Sequence, residues 1–122
     1  MSTEIYYMAE RETPMSKEEK AKMDEIIHKY WEEYPHKDDF EGPGFFNNPD
    51  SAVIFEGVMR IPCSNVEELD EFFDYWLKWL SELTWLLPDA KWDAGVEDVP
   101  FIWEEDNGWR LMTDEEDYSR GQ

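Results

Sequence analysis

Apolar and polar positions along the chain recur with two different periods, and the changes of period mark out the elements. Residues 3–9, Thr3-Glu4-Ile5-Tyr6-Tyr7-Met8-Ala9, are few and rich in β-formers, which predicts a first strand. Glu10 to Pro14 is a polar connection. Ser16 and Glu19 then stand at the spacing of a capping box, and Met23, Ile26, Ile27, Tyr30, Trp31 and Tyr34 follow at helical steps. These residues make one apolar helix face, and Pro35 ends it. A short strand is expected around Phe40 to Phe46, interrupted by Gly42-Pro43-Gly44, with Asn47-Asn48-Pro49-Asp50 as a turn. Ala52 to Ile61 reads as a strand. Val53, Phe55, Met59 and Ile61 lie on one side, and Ile54, Glu56, Val58 and Arg60 on the other.

The second helix has the clearest pattern. Ser64 or Asn65 is placed to cap it, Glu67 and Glu68 suit its first turn, and Pro88 stops it. At about 100° per residue, Val66, Leu69, Phe72, Phe73, Trp76, Leu77, Leu80 and Leu83 fill one broad arc. Glu67, Asp70, Glu71, Asp74, Lys78, Ser81 and Glu82 occupy the opposite arc, which places Tyr75 and Trp79 on the flank, toward solvent. Beyond the helix, Ala90 to Ala94 and Phe101-Ile102-Trp103 read as strands. Asp106-Asn107-Gly108 joins Trp103-Glu104-Glu105 to Trp109-Arg110-Leu111-Met112 as a tight hairpin.

The order strand, helix, hairpin, helix, strand predicts an α+β fold, a ferredoxin-like βαββαβ sandwich of two helices on an antiparallel sheet, with an extra C-terminal β-hairpin. Residues 1–112 are expected to form a single domain, and 113–122, with Asp114-Glu115-Glu116-Asp117, a frayed acidic tail. The length of 122 residues suits one domain.

Charge changes the picture from fold to partner. Thirty-one acids against 11 bases leave a net charge of −20, and the mean hydropathy is −0.79. Such values suggest disorder, but 7 Trp, 6 Tyr and 7 Phe supply the large apolar surfaces of a folded core. A surface this negative excludes direct binding to nucleic acid or anionic lipid, both of which require a positive footprint. Residues 61–122 carry 17 acids and 4 bases, against 14 and 7 in residues 1–60, so the excess belongs to the second helix and the C-terminal hairpin. A domain of this size has a diameter of roughly 35 Å. Spread over that distance, the net charge of −20 matches the linear charge density of duplex DNA, about one charge per 1.7 Å.

Candidate chemistry is sparse. Cys63 is the only cysteine, which excludes an internal disulfide, and neither His28 nor His36 belongs to a motif that ties it to Cys63. Cys63 is better read as a small buried residue at a strand end, and Ser64 as a helix cap, than as nucleophiles. Asp24, His28 and Glu32 share a helical stripe, but no further ligand motif accompanies them, so a solvated helix edge is the better reading and no metal is expected. With so many acids, a carboxylate pair carries no catalytic signal, and Gly42-Pro43-Gly44 is not a phosphate loop. The expectation is a protein that is not an enzyme, with no catalytic residues and no cofactor. No apolar start resembling a signal peptide and no span of about 18–20 apolar residues occurs, so a cytoplasmic location is expected.

These observations point to a partner that is a basic protein, a nuclease or other nucleic-acid-binding enzyme. Glu67, Asp70, Glu71, Asp74 and Glu82, with Glu104, Glu105 and Asp106, would stand in for phosphates, and Trp79 and Trp109 would anchor the contact. In size and charge alone, with no residue motif to carry it, the chain is similar to phage-borne inhibitors of host defence enzymes, anti-CRISPR-like proteins among them, and to immunity proteins that neutralise basic toxins. The alternative is an acidic structural or assembly module that associates through exposed Trp and Tyr, as in a homodimer seam.

Overall fold

The structure, a computed structural model, describes residues 4–35, 42–45, 52–61, 66–113 and 115. It is a mixed α+β fold with two helices on an antiparallel sheet. Strands β1 (Glu4–Glu10), β2 (Gly44–Phe45), β3 (Val53–Arg60), β4 (Lys91–Val96) and β5 (Val99–Pro100) form the sheet in the order β2-β3-β1-β4-β5, each antiparallel to its neighbour. The helices are α1 (Lys17–Glu33) and α2 (Val66–Leu86), and β6 (Ile102–Glu104) pairs with β7 (Gly108–Arg110) in a separate hairpin. The expected Cys63, Ser64, Asn65 and His36 features, Asn47 to Asp50, and nearly all of the expected tail lie outside the described residues.

Alternation decides which sheet face is buried. Ile5, Tyr7 and Ala9 of β1 point to the core, with Phe55 and Met59 of β3 and Ala94 of β4 beside them, while Glu4, Tyr6, Met8 and Glu10 face the other way. Tyr7 is the centre of this layer. It pairs across the strands with Gly57, whose missing Cβ leaves room for the Tyr7 ring. The ring stacks on Phe55 at 5.7 Å and meets Trp79 edge-to-face at 5.3 Å. Its hydroxyl donates to the carbonyl of Gly44 at 2.8 Å, which ties the two-residue β2 to the sheet edge. One expectation is corrected here. A bulge in β3 pairs Phe55 with Ala9 but Val53 with Glu10, so Ile54 is the extra residue. Val53 thereby falls in register with the outer face, whereas Ile54 packs against the core.

The first helix starts as its sequence dictates. The Ser16 hydroxyl accepts from the Glu19 N–H at 3.1 Å, and the Glu19 carboxylate accepts from the Ser16 N–H at 2.9 Å. At the other end, the Tyr75 hydroxyl of α2 donates to the carbonyl of Tyr30, one of the last four in α1, which have no intrahelical partner.

The second helix is buried on two sides. Phe72, Trp76, Trp79, Leu80, Leu83 and the following Leu87 lie in the sheet core. Ser81 and Thr84, on the flank away from Trp79, are buried as well, because the β6–β7 hairpin lies across them. The Ser81 hydroxyl accepts from the backbone N–H of Trp109 at 2.8 Å, and the Thr84 hydroxyl accepts from the Trp109 indole N–H at 2.9 Å. Both hydroxyls also donate back to helix carbonyls, those of Leu77 and Leu80. The close approach depends on Gly108, which has φ +89°. A Cβ there would overlap Ser81 Oγ.

A clamp joins the start of α1 to the α2–β4 connection. The Arg11 guanidinium, at the end of β1, bonds Glu19 at 2.8 Å and Asp89 at 3.0 Å and donates to the carbonyls of Thr13 and Pro14. This charge-assisted pairing, helped by the Ser16 N–H, lowers the Glu19 carboxyl from 4.5 to about 2. A depressed carboxyl stabilises the fold above its unfolded pKa and loses that contribution as pH falls through the folded value. The melting temperature of Glu19→Gln is therefore expected to lie below that of the parent at pH 6. The gap should close between pH 4.5 and about 2. A gap independent of pH would contradict the clamp.

Candidate functional site

Four of the acids on α2 are brought together by helix geometry alone. Glu67, Asp70, Glu71 and Asp74 stand at i, i+3, i+4 and i+7, so they share one stripe, and all four are exposed. Lys78 is exposed one turn further along. The stripe is open because the hairpin covers only the C-terminal half of the helix, around Ser81 and Thr84.

Where helix and hairpin meet, a groove of about 530 Å³ opens. Asp70, Asp74 and Glu82 line it from α2, Tyr30 from α1, and Trp109 and Arg110 from β7. It is a mixed surface, since Lys78 and Arg110 bring positive charge into it. Burial raises the phenol pKa of Tyr30, and its hydrogen bond to the Glu82 carboxylate raises it further. Glu82 is thus a half-buried acceptor fixed by α1 and not a fully solvated charge.

The hairpin acids divide. Glu104 bonds Arg110 across the hairpin at 3.1 Å, which neutralises it locally. Glu105 and Asp106 are exposed in the turn. The carbonyl of Glu105 sits by the Trp85 indole at 3.4 Å, and Trp85 is about 16 Å along the helix axis from Asp74. The expected site is therefore two separated acidic regions, the α2 stripe and the hairpin turn, with Lys78 and Arg110 between them.

The comparisons add no relative. No protein-family model matches this chain, and no curated protein or solved structure matches it either.

The aromatic anchors are redistributed. Trp79, expected at the surface, is 0% exposed, packed edge-to-face against Tyr7 and Trp76. It belongs to the core and is withdrawn from any contact surface. Trp109 is half-buried, with its indole N–H engaged by Thr84. Trp85 is the exposed one, at 46%. It leads a row of rings, Trp85–Trp103 at 5.7 Å and Trp103–Trp109 at 5.2 Å. These rings and Trp92 wall a second cavity of about 200 Å³, with Thr84 in its wall and Glu105 as the one acid among the described lining residues. Sequence reasoning missed this cavity. Its signal was the run of Trp at 85, 92, 103 and 109 in a segment that folds back on itself.

On the remaining chemistry, Asp24 and His28 are exposed on α1. Among the described residues no three His, Cys, Asp or Glu side chains converge as a metal site requires. Among the same residues, no helix is long and apolar enough to cross a membrane.

The placement of the two tryptophans is directly measurable. Trp79→Ala is expected to cost about 3–5 kcal/mol in denaturant unfolding, and Trp85→Ala about 1 kcal/mol. Equal costs would contradict the assignment of Trp79 to the core.

Proposed function

We propose that this protein is a non-catalytic acidic binding protein that inhibits a basic, nucleic-acid-handling enzyme by occupying its nucleic-acid site. One observation carries the reading: the exposed stripe Glu67, Asp70, Glu71 and Asp74. At the helical rise of 1.5 Å per residue the four carboxylates are spread over about 10 Å, a mean axial step of about 3.5 Å. Phosphates on one strand of DNA advance about 3.4 Å. No Lys or Arg occurs between residues 61 and 77 to break the row. A groove that tracks a phosphate backbone would meet on this helix a run of negative charge of similar mean axial density. Glu105 and Asp106 extend the negative potential at the hairpin turn, while Glu82, Glu104 and Trp109 support the surface from partly buried positions. A phage anti-defence or anti-CRISPR-like inhibitor, or an immunity protein, is the setting in which such a surface would act.

The strand order supports the finer reading of the fold. Taken without β5, the order β4-β1-β3-β2 with both helices in the connections is consistent with a ferredoxin-like βαββαβ sandwich. On this reading β5 is an edge addition, and the β6–β7 hairpin is a cover laid on α2.

The second reading, an assembly module or homodimer, is favoured by Trp85 and Leu111, exposed apolar side chains that line one groove. Salt separates the two, because charge-led association weakens steeply as ionic strength rises and an aromatic seam does not.

The test reverses three charges on the stripe, Asp70→Lys, Glu71→Lys and Asp74→Lys together, and measures association with the partner captured from the native host. The association rate should fall by about a hundredfold at low salt, with the melting curve retained. Unchanged binding by the folded variant would overturn the proposal.

A further inference from the structure

We propose that the tryptophan-walled cavity between the end of α2 and the β6–β7 hairpin is a binding site for an alkylated ammonium head group. Trp85, Trp92, Trp103 and Trp109 converge on about 200 Å³, or roughly six to seven water volumes, enough for a tetramethylammonium ion. Three of the four indole N–H groups are already engaged: Trp85 with the carbonyl of Glu105, Trp92 with that of Leu87, and Trp109 with Thr84 Oγ1. These bonds fix the rings before any ligand arrives and leave them to meet it through carbon surface, not as donors. Thr84 offers little more, since its hydroxyl donates to the Leu80 carbonyl while accepting from Trp109.

What remains to recognise a ligand, among the described residues, is π-surface, the Trp103 indole N–H and one carboxylate. Glu105 is exposed at the rim, and no lining residue among those described is basic. Aromatic faces carry negative electrostatic potential and attract a cation set over them. The molecule's own charge of −20 opposes an anion. A bare ammonium would lose hydration that these walls cannot replace, because they hold few open acceptors. An alkylated ammonium carries its charge on an apolar shell that needs no hydrogen bonds, and so fits both the rings and the field. The site lies apart from the open acidic stripe on α2 and does not rest on the reading of that stripe.

The test titrates the intact protein with tetramethylammonium chloride and follows the indole N–H signals by NMR, with sodium chloride at equal ionic strength and 3,3-dimethylbutan-1-ol, the neutral isostere of choline, as controls. Saturable shifts concentrated on the indoles of Trp85, Trp92, Trp103 and Trp109, and absent with both controls, are expected. Trp85→Leu should weaken binding about tenfold and Glu105→Gln about threefold. Both positions are exposed, and the second variant tests the charge without altering a ring. Choline and a short neutral peptide bearing trimethyl-lysine then distinguish a free solute from a modified protein, and the tighter of the two names the source. Shifts no different from those with sodium chloride, equal binding of the neutral isostere, or full affinity in both variants would overturn the site.

Discussion

Two hydroxyls on one helix organise the outer half of this molecule. Ser81 and Thr84 accept the backbone and indole N–H groups of Trp109 while each donates to a carbonyl of its own helix. Without these bonds the hairpin would bury polar atoms with no partners, at a cost of about 1–3 kcal/mol for each. With them, α2 is covered on both flanks. Trp79 and Ser81 are two residues, hence about 200°, apart on the helix, and both are buried. The hairpin also sets the two concave surfaces on this side. The charged groove lies where β7 crosses α2, and the tryptophan cavity lies toward the end of the helix.

The same docking explains how the charge is distributed. Because the hairpin reaches only the C-terminal half of α2, the first turns keep Glu67, Asp70, Glu71 and Asp74 in water. Further along, the acids are tempered by structure. Glu104 is paired with Arg110, and Glu82 is held by Tyr30. On this side of the molecule the exposed acids therefore form one acidic row and a smaller acidic turn, separated by Lys78 and Arg110. This division gives the two proposed functions different surfaces. The row suits a groove that tracks phosphates, and the aromatic cavity suits a single soft cation.

Elements whose signals are local were legible in the chain. The Ser16–Glu19 box needs only residues three apart, and it is present as read. The periodicity of α2 is equally local, and so is the Asn107-Gly108 turn signal, although the turn falls one residue earlier, at Glu105 to Asn107, with Gly108 opening β7. Features that depend on distant residues were not legible. Ser81 reads as a polar surface position until a strand 28 residues later brings its N–H. Trp79 reads as a flank only if the apolar arc of α2 faces one layer. Once Leu77 and Ser81 are assigned to the hairpin side, the sheet-facing stripe shifts toward Trp79. The β3 bulge inserts one residue into a two-residue repeat, which exchanges Val53 and Ile54 with no local mark. Strand β5 was missed because its turn, Glu97-Asp98, lacks glycine, although Glu97 takes φ +52°, and because its second residue is Pro100. In the site, the acidic row was legible because helical spacing alone creates it. The tryptophan cavity was not, because its walls come from three parts of the chain.

Both concave surfaces depend on the hairpin being docked on α2, and amide hydrogen exchange at Trp109 tests this docking most directly. Its N–H is held by Ser81 in the docked state, so its exchange should be slowed toward the rate of the helix amides around Ser81, and Ser81→Ala should speed it up selectively. Exchange of the Trp109 amide at the rate of an open chain, with the helix amides still protected, would contradict the docked hairpin and the two surfaces that depend on it.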